Sequence, residues 1–427
     1  MLAEGQQVEL KIEKPASGGR MIARHLGQVV LVRGAIPGER VTAWIERAEK
    51  RLAYAVTREV IESSPDRRAS NGDALCGGAL YTHIAYDRQL AIKAEVVGDA
   101  FARIGKHPVD TPIDVMGSPE EGYRMRARFH MHGARAGFYR EGTHQLCDAA
   151  STRQLLPQTT ATVDTIARAL DRLAARAAGS IAIAENIAGD ERAAHLELAA
   201  RVQLPREALE QLIAETGLNG ISVRGAPAGV VAIGSPFVSD PVSSVTGNRG
   251  ATGDLQRHAE SFFQGNRYLL PALVTAVVQA VPDGDVLDLY AGVGLFSVAL
   301  ASTREVHVTA VEGDRASGTD LVHNAGAYPS RLEAVVARVE DYVGRRPGRE
   351  AATTIVNPPR TGLSREAIDS VIRHGSRRIV YVSCDPPTLA RDARRFLDSG
   401  YAIEKIRAFD LFPNTPHVET LAVFVKR

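Results

Sequence analysis

The side chains most able to do chemistry stand directly after apolar segments in the C-terminal third of the chain. Residues 286–290 form an apolar strand pattern that ends at Tyr290, and Gly292 and Gly294 follow it. Glycines at this spacing let the backbone turn tightly and approach a ligand closely. Glu312 ends the next predicted strand, where a carboxylate can accept hydrogen bonds from ribose hydroxyl groups. The pattern is typical of nucleotide-cofactor sites, although a glycine turn in an unrelated α/β domain would look the same.

The same segment favours one cofactor over another. Ser297 occupies the place of the third glycine in a pyrophosphate-binding turn. The acid and the phenol before the glycines, Asp288 and Tyr290, suit S-adenosylmethionine (SAM), whose sulfonium group carries no phosphate. The residues therefore favour SAM over NAD.

Asn357-Pro358-Pro359-Arg360 follows another predicted strand, at the position of the cofactor crevice. Two consecutive prolines hold the preceding side chain in a fixed place. Amino-group methyltransferases use a similar box with an aromatic residue in the fourth position, where this chain has Arg360. A simple turn at the strand end is the alternative.

Cys384 lies at the end of the following strand and just before a predicted helix. A helix N-terminus favours the thiolate, whereas the neighbouring Asp385 disfavours it. A lone cysteine is often just a small buried apolar residue, but the crevice position favours a nucleophile.

Two further segments carry polar groups of less obvious use. His417 and Glu419 precede the last predicted strand, and either side chain could move a proton; a polar turn is the alternative. Gln264 lies in the segment 261–266 before the first helix of this region, which is uninformative alone.

Regular alternation of strands and helices positions these groups. From about residue 270, apolar strand patterns at 286–290, 306–311, 334–339, 353–356, 378–382 and 421–425 alternate with predicted helices. This predicts a mostly parallel, doubly wound α/β sheet with its ligand crevice at the carboxyl ends of the strands. We expect a catalytic domain over residues 256–427.

The N-terminal part of the chain shows a different sequence pattern. Residues 1–61 show short strands separated by turns, typical of a small β-barrel, and the first 60 residues hold ten Lys or Arg against seven Glu. A mildly basic barrel suits oligonucleotide binding, and a spacer is the alternative.

Residues 62–255 predict a mixed α+β central domain. A helix over 86–104 could pack on the catalytic domain, and further helices are expected over 160–178 and 206–216. The segment 123–155 interleaves arginines with aromatic residues, as RNA backbone contact plus base stacking requires. A β-hairpin with a solvated basic edge is the alternative.

Composition sets outer bounds. The 427 residues leave room for two or three domains, and 51 Lys plus Arg against 50 Asp plus Glu exclude a bulk polycation that coats nucleic acid. Three cysteines predict no disulfide scaffold and a reducing compartment. The N-terminus has no apolar signal core, and the longest apolar stretch is too short to span a bilayer. We expect a cytoplasmic protein without a membrane segment.

Together, five C-terminal segments and the strand-end Glu312 resemble the RNA 5-methyluridine methyltransferase family, whose members methylate carbon 5 of uracil in transfer RNA or 23S ribosomal RNA. The shared order is Phe-Phe-Gln-Gly-Asn, Leu-Tyr-Ala-Gly-Val-Gly-Leu-Phe, the strand-end Glu, Pro-Pro-Arg-Thr-Gly-Leu, Ser-Cys-Asp-Pro and Phe-Pro-Asn-Thr-Pro-His-Val-Glu. The N-terminal barrel resembles the OB-like TRAM domain that these enzymes often carry. The resemblance implies a Rossmann-like SAM-dependent catalytic domain and structured RNA as the partner.

The resemblance also implies roles for residues. Cys384 matches the nucleophile that adds to carbon 6 of uracil, and Glu419 matches the base that removes the carbon 5 proton. Gln264, Tyr290 and Glu312 match SAM-binding positions. We include Gly292 and Asn357 among the predicted cofactor contacts.

Two departures from the family pattern are visible. Asn357 stands where many relatives have Asp, which leaves its role at the cofactor or the uracil open. Some relatives hold an iron–sulfur cluster on four cysteines, but the matching places here read Ser70, Cys76, Ala79 and a position near Thr152, and Cys147 does not fit the spacing. Because such a cluster needs four thiolates, we expect no cluster and no metal.

Two other functions stay open on sequence grounds. An amino-group methyltransferase would use Asn357 and would not need Cys384. A non-catalytic RNA-binding protein would need neither Cys384 nor Glu419. The sequence does not identify the RNA or the uridine, and we expect a monomer.

Overall fold

The computed structural model describes residues 2–70, 72–109, 111–173, 179–198, 204–226, 229–345 and 351–427. Three bodies of structure follow one another along the chain. They are a closed barrel, a mixed central sheet and an eight-stranded C-terminal sheet.

The N-terminal barrel forms because its strands alternate buried and exposed side chains, as in the first strand. Its order closes on itself, since the first strand pairs with both the second and the fourth. The five strands are β1 (Gln7–Pro15), β2 (Met21–His25), β3 (Gln28–Arg33), β4 (Arg40–Ala48) and β5 (Leu52–Glu62). The predicted barrel is confirmed.

A helix and a short strand connect the barrel to the rest of the molecule. They are α1 (Tyr86–Arg103) and β6 (Val115–Met116). The buried face of α1 packs with α-helical residues of the C-terminal region, where Phe101 joins the same apolar cluster as Leu389 and Phe396. β6 adds to the edge of the C-terminal sheet.

The central sheet has the order β13-β12-β11-β10-β7-β8-β9 and is covered on one face by two helices. Its elements are β7 (Arg126–His132), β8 (Arg135–Tyr139), β9 (Leu146–Cys147), α2 (Pro157–Leu173), β10 (Gly179–Glu185), β11 (Arg192–Leu198), α3 (Arg206–Thr216), β12 (Gly220–Ala226) and β13 (Gly229–Gly234). The expected helix over 160–178 begins earlier, and its last five residues lie outside the described part.

A small hairpin and helix lead into the C-terminal region. They are β14 (Phe237–Pro241), α4 (Val242–Thr246) and β15 (Asp254–His258). Val238 and Ala259 pack on Ala184 and Ala193 of the central sheet.

The C-terminal sheet confirms the predicted doubly wound α/β architecture. Its order is β18-β17-β16-β19-β20-β22-β21-β6, with five parallel strands followed by the antiparallel β22. Its elements are α5 (Leu270–Ala280), β16 (Val286–Leu289), α6 (Leu295–Thr303), β17 (Val308–Glu312), α7 (Arg315–Ala325), β18 (Leu332–Val336), α8 (Val339–Arg345), β19 (Thr353–Val356), α9 (Arg365–His374), β20 (Arg378–Ser383), α10 (Pro386–Asp398), β21 (Tyr401–Phe409) and β22 (Glu419–Lys426).

The chain direction along this sheet fixes where a ligand can bind. From β16 the chain winds outward to β17 and β18, then returns to β19 on the other side of β16. Such a reversal opens a crevice at the carboxyl ends of the two central strands. Every predicted site segment of the C-terminal region except the one holding Gln264 stands at this edge.

The sequence predicted no disulfide scaffold, and the structure has one disulfide that the sequence did not predict. Cys76 and Cys147 are joined by a disulfide across 71 residues of sequence, with their Cα atoms 5.6 Å apart. The reason is local pairing, since Cys76 bridges to Arg140 in the hairpin that leads to β9. Cys147 therefore lies beside Cys76, the one cysteine at a matching cluster position, although its spacing in the sequence does not fit the cluster pattern. Two joined sulfurs next to Ser70 and Ala79 do not fit a four-thiolate cluster.

The described residues contain neither a membrane-spanning helix nor a cluster of metal-binding side chains. No helix in these ranges is both long and apolar enough to cross a bilayer. Within the same ranges, no three His, Cys, Asp or Glu side chains converge as a metal site would require.

Candidate active site

Strand pairing brings Cys384 and Glu419 together. Cys384 follows the last residue of β20, and Glu419 is the first residue of β22. These strands are antiparallel, with Ser383 opposite Thr420. The thiol and the carboxylate therefore lie on neighbouring strands at the crevice edge, although 35 positions separate them in sequence.

The thiol of Cys384 is half-buried and does not belong to the disulfide. Burial raises its pKa to about 11, the carboxylate of Glu419 adds to this effect, and the guanidinium of Arg360 opposes it with a hydrogen bond. Asp385 caps helix α10 by accepting the backbone N–H of Thr388 at 2.9 Å. The thiol is therefore neutral. Two neighbouring features favour the thiolate, namely the guanidinium of Arg360 and the N-terminus of α10.

The carboxyl group of Glu419 is buried, with 3% of the residue exposed. Burial raises its pKa to about 8, against the attraction of Arg360. A base is most effective when its pKa lies near the working pH. Glu419 is therefore tuned to exchange a proton near neutrality.

Arg360 is the group that sequence reasoning missed. Its exposed side chain donates from Nη2 to Nε2 of His417 at 3.3 Å and also hydrogen-bonds Cys384. The pKa of His417 is lowered to about 4, first by burial and then by Arg360. A neutral imidazole therefore serves as an acceptor that orients the guanidinium. The signal in the sequence was the charged residue in the fourth place of the Asn-Pro-Pro box.

The loop 410–418 that carries His417 is anchored to α1. Gln89 is fully buried, donates to Oδ1 of Asn414 at 3.0 Å and accepts the backbone N–H of Asn414 at 2.9 Å. Asn414 adopts φ +64°, a left-handed conformation that asparagine tolerates. Tyr123 donates to the carbonyl of Pro413 at 3.2 Å.

A buried ion pair adds a second anchor. Lys93 on α1 contacts Asp410 at 2.5 Å, both side chains being at most 1% exposed. Its Nζ also donates to the carbonyl of Phe412 at 3.2 Å. Burial lowers the pKa of Lys93 and raises that of Asp410, while their mutual attraction opposes both shifts. The pair holds the loop because removing either partner would leave an uncompensated buried charge.

The other side of the crevice presents the predicted cofactor residues. Glu312 accepts the backbone N–H of Gly292 at 2.8 Å and of Asp314 at 2.6 Å. Gly292 has φ +59°, and a Cβ at this position would meet open space. Tyr290, also with positive φ (+60°), donates its hydroxyl to Glu340 at 3.2 Å. Its pKa is raised by burial and by Glu340.

An incompletely paired carboxylate lies beneath this turn. Asp288 is fully buried, and its Oδ2 accepts the hydroxyl of Ser297 at 2.5 Å while Oδ1 has no partner. Burial raises the pKa of Asp288 to about 7. Two carboxyl groups beside an open glycine turn suit the ribose hydroxyls and the cationic groups of SAM better than a pyrophosphate. The residues present therefore fit SAM.

Asn357 lies at the crevice edge, whereas Gln264 lies in the segment before α5. Gln264 is buried, and the next residue packs its backbone beside the ring of Phe412, in the anchored loop. Asn266 accepts the backbone N–H of Leu269 at 3.0 Å, in the turn just before α5. Asn357 is half-buried directly after β19, and its backbone N–H donates to the carbonyl of Leu289 at 3.3 Å. The predicted site residues other than Gln264 thus lie at one edge of the C-terminal sheet.

Known proteins resemble this chain over almost its whole length. The model of the family tRNA (Uracil-5-)-methyltransferase matches residues 347–427, and that of the TRAM domain matches residues 2–56. An uncharacterised RNA methyltransferase of Streptomyces coelicolor is 32% identical over 98% of this chain and 93% of its own length. The 23S rRNA (uracil(1939)-C(5))-methyltransferase RlmD of Methylococcus capsulatus is 31% identical over 98% of this chain and 97% of its own.

The chain belongs to the RNA (uracil-5-)-methyltransferase family. The family resemblance expected from the sequence is confirmed, and the protein is an RNA methyltransferase of this family. The crystal structure of Pyrococcus abyssi tRNA (uracil-54, C5)-methyltransferase in complex with S-adenosyl-L-homocysteine has the same fold. It matches with a TM-score of 0.76 over 97% of this chain and 99% of that one, at 23% identity.

Proposed function

We propose that this member of the family methylates carbon 5 of one uridine in structured RNA, transfer RNA or 23S ribosomal RNA, through a covalent bond between Cys384 and carbon 6. The observation that carries the proposal is the placement of Cys384 and Glu419 on neighbouring strands at one crevice, with Arg360 close to both.

Carbon 5 of uracil is a weak nucleophile, which is why a thiolate is needed. When the Cys384 sulfur adds to carbon 6, the electrons of the 5,6 double bond move toward the carbonyl oxygen at carbon 4 and form an enolate. Carbon 5 of the enolate can then accept a methyl group. SAM supplies that group as an electrophilic methyl on a sulfonium.

Arg360 lowers the pKa of Cys384 in a site where burial and Glu419 raise that pKa. At pH 7 a thiol with a pKa of about 11 is almost entirely neutral, so ionisation must be coupled to RNA binding. Glu419 opposes the thiolate only while it is itself ionised. When Glu419 takes the thiol proton, Arg360 is left as the main charge facing the sulfur, and Glu419 then gives that proton to solvent before it acts as the base.

Glu419 completes the cycle. After methyl transfer, carbon 5 still carries its proton, and the base must take it. The electrons of that C–H bond then re-form the 5,6 double bond and expel the Cys384 sulfur as a thiolate. The products are 5-methyluridine, S-adenosylhomocysteine and one proton.

Cofactor contacts follow from the other side of the crevice. We assign Gln264, Tyr290, Gly292, Glu312 and Asn357 to the SAM site, with the Glu312 carboxylate toward the ribose hydroxyls. Asn357 keeps a hydrogen-bonding amide without the charge that many relatives have there.

The barrel is proposed as part of the RNA site. Gly19, in the loop between β1 and β2, lies so close to the active-site loop that a Cβ there would stand 2.9 Å from Pro416. The barrel surface also carries an exposed Trp44 beneath Arg58 and a Tyr54 ring 4.2 Å from Arg47. We propose the division into a barrel at 1–61, a central RNA-binding domain at 62–255 and a catalytic domain at 256–427.

Trapping with 5-fluorouridine RNA tests the proposal. Fluorine at carbon 5 cannot leave as a proton, so wild-type protein with SAM should form a complex that survives denaturing electrophoresis. Cys384→Ala should form none, while its affinity for SAM by calorimetry stays within about twofold. Absence of the wild-type adduct, or an equal yield from Cys384→Ala, would overturn the covalent mechanism.

The same variants separate the two other functions. An amino-group methyltransferase acting through Asn357 would keep full activity in Cys384→Ser and would methylate an exocyclic amine. A non-catalytic RNA-binding protein would bind RNA without binding SAM.

A further inference from the structure

Strand β7 presents a row of basic and imidazole side chains on one face of the central sheet. Arg126, Arg128, His130 and His132 occupy alternate positions, while the residues between them are buried in the core under α2. Side chains of a strand alternate between faces, so the four share one face at intervals of about 6.6 Å. These four residues, with Tyr139 of β8, are called the β7 row.

The inner end of the row lies beside the crevice. Arg126 donates to the backbone oxygens of Ser261 at 2.8 Å and Glu260 at 3.1 Å, and its guanidinium lies 5.7 Å from the ring centre of Phe262. Phe262 is 59% exposed and stands two residues before Gln264. The row therefore begins at the proposed cofactor site.

The outer end of the row is a stack of planar rings. His130 and Tyr139 lie face to face, with ring centres 3.8 Å apart and planes 8° apart. His144 approaches Tyr139 edge-on at 5.3 Å. His130 and Tyr139 are half-buried, and His132 and His144 are exposed. Burial first, and then Arg128, lower the pKa of His130, which keeps its ring neutral at pH 7.

The middle of the row carries Arg128, whose ion pair with Glu197 can be broken. Arg128 is exposed and contacts Glu197 of β11 at 3.3 Å, with 47% and 42% of the two side chains accessible. An ion pair this exposed is weak. A phosphate could therefore replace the carboxylate. The hairpin β14–β15 covers the part of this face around Ala184, Ala193 and His195.

We propose that the β7 row binds the RNA strand that flanks the target uridine, with Arg128 on a phosphate and the His130–Tyr139 pair stacked on an unpaired base. This inference rests on the proposed function and adds a place for the nucleotides beyond the reacting one. The features match single-strand binding, in which cations follow the backbone and aromatic rings take the bases. An RNA strand is favoured over a protein partner because the row combines stacked rings with cations and leads into the crevice.

Steady-state methylation of an unmodified transcript tests the inference, the transcript being one that wild type methylates, from transfer RNA or a 23S ribosomal RNA fragment. Tyr139→Ala should raise the KM for RNA about tenfold, as expected for one lost base stack, with kcat within about twofold. Tyr139→Phe keeps the stack and should restore the wild-type KM. Arg128→Gln should reduce the slope of log Kd against log salt by about one.

Arg168→Gln is the matched control, since this exposed arginine lies on α2, on the opposite side of the same sheet. Its KM should equal that of wild type. A transcript cut back to the target loop should remove the difference between wild type and Tyr139→Ala. An unchanged KM in Tyr139→Ala together with an unchanged salt slope in Arg128→Gln would overturn the inference, as would a KM for Tyr139→Phe as high as that of Tyr139→Ala. Failure of the proposed function would instead appear as no 5-methyluridine from wild type.

Discussion

Two buried glutamates in this protein are alike in exposure and opposite in chemistry. Glu39 in the barrel is 1% exposed, and Glu419 at the crevice is 3% exposed. Burial alone would raise both pKa values. For Glu39 the hydrogen bonds from Arg67 and from the backbone outweigh burial, and its pKa is lowered. For Glu419 burial prevails, and its pKa is raised to about 8.

The arginine beside each carboxylate explains the difference. Arg67 contacts Glu39 through Nε at 2.6 Å and Nη2 at 2.7 Å, a two-pronged pair that fully engages the carboxylate. Arg360 instead turns its guanidinium toward Cys384 and His417 and acts on Glu419 only through its charge. A satisfied carboxylate holds a barrel together, whereas an unsatisfied one remains able to take a proton.

The largest effect is expected from Glu419→Gln. An amide cannot accept the carbon 5 proton, so turnover should fall by about 1,000-fold or more, while the first methyl transfer still occurs. Rapid-quench kinetics should show one methyl group transferred per enzyme, followed by no further product. Retained multiple turnover would remove Glu419 from the role of base.

Arg360→Met should slow formation of the covalent adduct by about 100-fold, the scale of losing one charged donor at a reacting centre. Without the guanidinium, the pKa of Cys384 loses the main group that lowers it. The rate of 5-fluorouridine trapping across pH 6–10 measures this, and the slower variant should recover as pH rises. Arg67→Met is the control, and its trapping rate should match wild type in the folded protein.

Glu39→Ala should destabilise the protein by about 3 kcal/mol, because it leaves a partly buried arginine and two backbone N–H groups without their acceptor. Urea unfolding followed by a barrel-sensitive signal, the fluorescence of Trp44, would measure it. The kcat of the folded fraction should stay within about twofold of wild type. A large loss of kcat without a loss of stability would mean that the two glutamates are not functionally separate.

The smallest effects are expected in the pH dependence of stability, and they should have opposite signs. The raised pKa of Glu419 gives stability that is complete below its unfolded value and is lost as pH rises through about 8. Glu419→Gln should therefore melt a few degrees above wild type at pH 9 and close to it at pH 5.

The lowered pKa of Glu39 gives stability that is present above the pKa of this group in the unfolded chain and is lost in acid. The melting deficit of Glu39→Gln should accordingly shrink as pH falls below 4. Parallel pH trends in the two variants would contradict the assigned shifts.

Much of the catalytic sheet could be predicted from the sequence because its strands are continuous apolar runs between turn signals. Two elements were missed for physical reasons. β21 is an outer strand whose exposed positions, Glu404 and Lys405, interrupt the apolar pattern. α8 begins at Val339, which reads as the end of the preceding strand.

The candidate site, too, could be predicted only in part from the sequence. The sequence could place Cys384 and Glu419 at strand ends, but only the antiparallel pairing of β20 with β22 makes them neighbours. The role of Arg360 was hidden because it depends on two partners far away in sequence. The Cys76–Cys147 disulfide was missed for the same reason, since spacing rules cannot register a contact between a loop and a distant hairpin.

The most direct test of the central claim uses natural RNA with the Glu419→Gln variant. After incubation with SAM, protease and nuclease digestion followed by mass spectrometry should find the peptide containing Cys384 joined to a methylated uridine. That product requires both the sulfur–carbon 6 bond and the missing proton transfer. A methylated RNA released without any such peptide, or the adduct on a cysteine other than Cys384, would contradict the account.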